Sequence, residues 1–263
     1  MLMAATQQVI QKKCFAILCF YLMASLPTLN AFLHRRSAMQ TRPTVIPMPY
    51  GNAVDRGTAH RVLRNTYALL SLTLLFSAGV AGAAVAFNLP GPGLILTLVA
   101  YFGLLFGIHK LKNSAAGIGL VFALTGFMGW TLGPLLTRTL ALPSGGQTVM
   151  LALGATGAVF LALSAYARTT KRDLSWMGGF LFAGMVVAML AGLAAIFFQI
   201  PALALTVSAV VALLSAGLIL FETKQIVDGG ETNYVLATVS LFVSIFNLFT
   251  SLLHLFGFAG SDE

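Results

Sequence analysis

The chain has 263 residues, of which 58% are hydrophobic and only 8% charged. A soluble domain carries roughly 25% charge, so this one lacks the polar surface that water requires, and its apolar residues run in blocks longer than a globular core needs. The formal charge of +8 sits as Lys and Arg in short breaks between those blocks. There is no basic stripe with interleaved aromatics, which excludes nucleic acid as a partner and leaves the lipid bilayer.

At the N-terminus, Lys12 and Lys13 precede an apolar run from Cys14 to Leu26, a pattern similar to the n- and h-regions of a signal peptide. Cleavage near Ala31 would deliver the Arg56–Arg64 cluster outside, against the other charges of the chain. Met39 is the expected start of the native protein, with residues 1–38 an upstream extension; an uncleaved anchor and a cleaved signal are the alternatives. Cys14 and Cys19 are the two cysteines, so neither a disulfide framework nor a cysteine metal site supports the main body. Residues 39–57, with Pro43, Pro47, Pro49, Gly51 and Gly57, read as a flexible tail. The organisation expected is an N-terminal extension and tail over 1–57, a transmembrane domain over 58–259 and a short tail over 260–263.

Seven apolar blocks follow, at about 66–87, 92–108, 115–136, 147–167, 176–198, 202–221 and 234–257. Each is long enough, or nearly so, to cross about 30 Å of hydrocarbon as a helix; the second is the shortest. Asn88 to Pro92, Leu142 to Gly146 and Gln199 to Pro201 supply the breaks. The fold class predicted is an all-α polytopic membrane protein with seven transmembrane helices.

Orientation follows from the cations. With the residues before the first span in the cytoplasm, that side receives Arg56, Arg61, Arg64, Lys110, Lys112, Arg168, Lys171, Arg172 and Lys224, and the other receives Arg138. The positive-inside rule then supports seven crossings and a C-terminus outside. Six spans with a re-entrant last segment is the competing arrangement.

Polar side chains within the blocks are functional candidates, because the bilayer centre offers them no water. The last block carries Ser240, Ser244, Asn247, Ser251 and His254, at spacings that align them on one helix face. Such a face serves either as hydrogen-bonded packing between helices or as the lining of a cavity or path. Glu222 closes the sixth block and reads either as a boundary carboxylate satisfied by water, Lys171 or Arg172, or as a titratable latch or cation ligand. Gly129 and Gly133, and Gly178, Gly179 and Gly184, read as sites of close helix packing. No pair of histidines or of carboxylates shares a span in a way that suits metal or aspartyl chemistry. Ser251 and His254 share a face without an evident oxyanion site. Neither an enzyme nor a cofactor is expected.

The segment FETKQIVDGGETNYVLATVSLFVSIFNLFTSLLHLFG (221–257) resembles the C-terminal hallmark of the Bax inhibitor-1 family. HRVLRNTYALLSLTLLFSA (60–78), LPGPGLILTLV (89–99), ALTGFMGWTLGPLL (123–136) and GGETNY (229–234) are similar to its bacterial YccA-like branch. The resemblance covers roughly residues 58–259 and implies a seven-span fold whose last helix is surrounded by the other six. It further implies an inner-membrane protein that binds the membrane AAA protease FtsH as substrate and modulator, under envelope or secretion stress. The flexible cytoplasmic tail would be the grip such a protease needs. Other members of the family imply an alternative, a pH-sensitive leak for calcium or protons gated by an aspartate on the sixth span and another on the seventh. The first position maps onto Glu222 and the second onto Ser244, with Asn247 and Ser240 along the route. Two carboxylates can share a proton, whereas a lone Glu beside Ser lacks that coupling and has less charge for a divalent ion. This departure argues against calcium leakage of the usual kind.

Overall fold

The computed structural model describes residues 56–259, and the expectations for the N-terminal extension and for residues 260–263 lie outside it. Among the described residues there are seven α-helices and no strand: α1 (Arg56–Ala86), α2 (Leu94–Leu111), α3 (Ala115–Leu140), α4 (Gly145–Thr169), α5 (Ser175–Phe198), α6 (Pro201–Val227) and α7 (Tyr234–Ala259). All except α2 are long and apolar enough to cross a membrane. The apolar helix Ile95–Leu111 is shorter, in keeping with the second block being the least extended. Large side chains such as Leu75, Ile95, Phe106, Met150, Phe197 and Leu213 point outward and exposed, as the lipid-facing surface of a multi-pass protein requires.

The breaks stop the helices where local chemistry says they should. Pro201 opens α6 at its first turn, where a missing N–H costs nothing. Gln199 closes α5 in the left-handed conformation (φ 54°), its N–H donating to the carbonyl of Ala195. Asn233 caps α7 by accepting from the N–H groups of Val235 and Leu236 at 3.0 and 3.2 Å. Without such a cap, the first N–H groups of a helix lack partners.

Glycine decides how the helices meet. Gly126, Gly129 and Gly133 are buried on α3 at spacings of 3 and 4, hence on one face. A Cβ on Gly126 would lie 2.7 Å from the Phe76 ring, and one on Gly133 2.7 Å from Cβ of Ala84. A Cβ on Gly129 would run into the carbonyl oxygen of Ser77. The α1 backbone therefore seats directly on the α3 glycine face, as the spacing of Gly129 and Gly133 predicts. Helices α5 and α6 interlock in the same manner: Gly178 faces Phe221, Gly184 faces Leu214, and Gly217 receives Leu181. Gly179 faces open space and has no part in it.

Three of the basic turns lie together at one end. Lys224 donates from Nζ to the Thr170 carbonyl at 2.9 Å, joining the end of α6 to the turn after α4. Asn233 donates from Nδ2 to the Lys112 carbonyl at 3.3 Å and to Oδ1 of Asn113 at 2.9 Å, joining the start of α7 to the turn after α2. The Arg168 guanidinium sits 4.9 Å above the Tyr67 ring, which brings the N-terminal half of α1 against the same end of α4.

Helix α7 is the most enclosed element. In its most apolar stretch 78% of residues are buried, against 17–44% in the other five long helices. It packs against α1, α3, α4 and α6, with Leu241, Phe242, Val243, Phe246, Leu248 and Leu253 in the core. A helix enclosed to this degree has little surface left for lipid. Its polar side chains therefore meet protein.

Candidate functional site

The polar residues of α7 meet a matching row on α6. Ser208, Ser215 and Glu222 recur every seven residues along α6, which places them on one face. The two helices run antiparallel and are pinned at two points. Near one end, the Ser244 hydroxyl donates to Oε2 of Glu222 at 2.9 Å. Near the other, the Ser208 hydroxyl lies 2.7 Å from Nδ1 of His254. Ser208 also donates to the Ala204 carbonyl at 3.0 Å, so the protonated Nδ1 tautomer, donating to Ser208, satisfies both contacts.

Between the pins, Asn247 and Ser251 are 2% and 1% exposed, and Ser215 is fully buried. The Asn247 Nδ2, the Ser251 Oγ and the Ser215 Oγ are each buried with no hydrogen-bond partner. Ser240, the remaining candidate of the α7 row, is half-buried and donates to the Leu236 carbonyl of its own helix at 2.8 Å. Its own carbonyl lies 3.1 Å from the Ser244 hydroxyl, which shares its single proton between that carbonyl and Glu222. The structure thus joins two of the sequence candidates, Glu222 and Ser244, and sets Asn247, Ser251 and His254 along the same seam. Ser208 and Ser215 were missed by sequence reasoning, although their seven-residue spacing from Glu222 carried the signal.

The pin at Glu222 leads to an ordered expectation. Ser244→Ala removes a donor from the carboxylate and is expected to cost about 1.5 kcal/mol, whereas Glu222→Gln keeps an acceptor for Ser244 and costs less than about 0.5 kcal/mol. Thermal unfolding of the two variants in detergent would check the order, and a larger loss for Glu222→Gln would contradict it.

Fold and seam together define a multi-pass helical membrane protein whose most enclosed helix carries buried polar side chains. Comparison with known proteins places it more narrowly. The family described as "Inhibitor of apoptosis-promoting Bax1" matches residues 59–261, and the chain belongs to that family. It is 53% identical over 205 residues to the "Modulator of FtsH protease YccA" of Escherichia coli strain K12, covering 78% of this chain and 93% of that protein. A protein of E. coli O6:H1 named "Inner membrane protein YccA" matches to the same extent. An uncharacterized protein of Pseudomonas aeruginosa is 50% identical over 202 residues, covering 77% and 91% of the two chains.

Proposed function

We propose that this is an inner-membrane protein that binds the membrane AAA protease FtsH, restrains it and is in turn its substrate. The observation that carries the reading is the 53% identity to a protein named as a modulator of that protease, extending over 93% of its length. In this reading all seven helices cross the bilayer, and α7 is the central one, its polar face turned to its neighbours. The shorter α2, 18 residues and about 27 Å along its axis, is near enough to the hydrocarbon thickness to span it with slight thinning of the bilayer. The clustering of the turns after α2 and α4 with the start of α7 supports a single positive, cytoplasmic end, which leaves the C-terminus outside. The proline-rich segment ahead of α1 is then cytoplasmic and available as a handle.

The test is the cellular half-life of the protein with and without residues 1–57, in cells that contain FtsH and in cells depleted of it. The full chain is expected to decay through FtsH and the shortened chain to persist several-fold longer. Equal stability of both forms whatever the FtsH level would sink the reading. A second reading, a leak for calcium or protons, draws on the 2.9 Å contact between Glu222 and Ser244, the positions the family resemblance pairs. It requires that Glu222→Gln change ion flux in proteoliposomes while deletion of the tail does not.

A further inference from the structure

The α6–α7 seam has a middle that its own side chains do not satisfy. The two pins fix the register: Glu222 opposite Ser244, and Ser208 opposite His254. Ser215 lies midway between Ser208 and Glu222 on their shared face, so it falls opposite the turn of α7 that holds Asn247 and Ser251. On a helical wheel, Ser244 and His254 mark the two edges of the α7 polar arc, and Asn247 and Ser251 lie between them. Three unpartnered polar atoms, Ser215 Oγ, Asn247 Nδ2 and Ser251 Oγ, are thus brought to one stretch of the seam between the two pins. Leaving them all unsatisfied would cost each its desolvation penalty.

We propose that this stretch is an internal water-binding site, in which ordered water accepts from Asn247 Nδ2 and exchanges hydrogen bonds with the hydroxyls of Ser215 and Ser251. The chemistry of the donor set selects the occupant. An amide N–H needs an acceptor, which a bare metal cation cannot supply, and the three groups include no carboxylate to offset a cation's charge. Water accepts and donates, and the three polar partners fall within the two to four that a buried water holds. The Glu222–Ser244 and Ser208–His254 contacts close the site along the seam at either end. The inference rests on the α6–α7 geometry alone and stands or falls independently of the protease reading.

The experiment is water-edited solid-state NMR on the full-length protein, with 15N-labelled asparagine side chains, in lipid bilayers. Magnetisation should pass from water to the Asn247 side-chain nitrogen, with Asn247→Leu identifying the signal. In Ser215→Ala/Ser251→Ala most of that transfer should be lost, because one polar partner out of three no longer holds the water. Absence of transfer in the parent protein overturns the site. Transfer that persists undiminished in the double variant overturns its assignment to these hydroxyls. The parent measurement does not depend on the variant folding.

Discussion

Gly129→Leu is expected to be the most damaging single substitution in the α1–α3 interface, lowering stability by about 3 kcal/mol or more through overpacking. The reason is where the new atoms would go. Even the first carbon added to Gly129 meets the backbone carbonyl of Ser77, and backbone cannot rotate aside as a side chain can. Relief requires α1 to move away from α3, which opens the neighbouring seats of Phe76 on Gly126 and Ala84 on Gly133. A close-packed interface has no slack to absorb that displacement. Gly119, on the same helix, supplies the control: it is exposed, and a Cβ there meets nothing within 4 Å. Gly119→Leu should therefore change stability by less than about 1 kcal/mol, in the stabilising direction if helix propensity decides. Thermal unfolding of both variants in one detergent would check the contrast. Equal tolerance at the two positions would show that α1 and α3 are not seated this closely.

Lys224→Met is expected to come second, at about 2 kcal/mol. The side chain is 11% exposed, and its ammonium holds both the Thr170 carbonyl at 2.9 Å and the Asp228 carboxylate at 2.9 Å. These contacts are unequal. Asp228 is 55% exposed, so water replaces the ion pair at little cost, as for most surface pairs. The Thr170 bond is charge-assisted and ties α6 to the turn after α4 across the bundle; removing such a donor costs roughly 1.5–3 kcal/mol. Met retains the apolar stem and removes only the charge and the donor. Asp228→Asn should therefore cost less than about 0.5 kcal/mol while Lys224→Met destabilises. Unfolding temperatures of the pair would measure the split, and an equal loss in both would shift the weight onto the ion pair.

Element existence was legible in the sequence almost throughout, because a membrane span writes itself as an apolar block between breakers. Boundaries were less so. Helix α1 is already formed at Arg56, the first described residue and ten ahead of the expected block at 66, and α6 runs to Val227 where the block ends at 221. A helix does not stop where hydrophobicity does. Backbone hydrogen bonding continues into the polar zone until a residue such as Asp228 or a glycine turn ends it. At the seam, the polar face of α7 could be read from spacing, and the pairing of Glu222 with Ser244 from family resemblance. The pairing of His254 with Ser208 depends on the register of two helices, which no single helix encodes. Lys224 shows the complementary limit: its main partner is a backbone carbonyl, and carbonyls are present at every residue.

The seating of α1 on α3 also sets how the fold would respond to force. A pull on the chain ahead of residue 56 loads α1 before any other described helix. Sliding α1 along its axis would drag Phe76, Ser77 and Ala84 across the steps between successive glycines, as a pawl is dragged over teeth. Lifting it sideways frees the same contacts one after another. Traction along the helix therefore meets a stiff, toothed track, and traction across it a zipper. The angle of the pull would decide which of the two it works against.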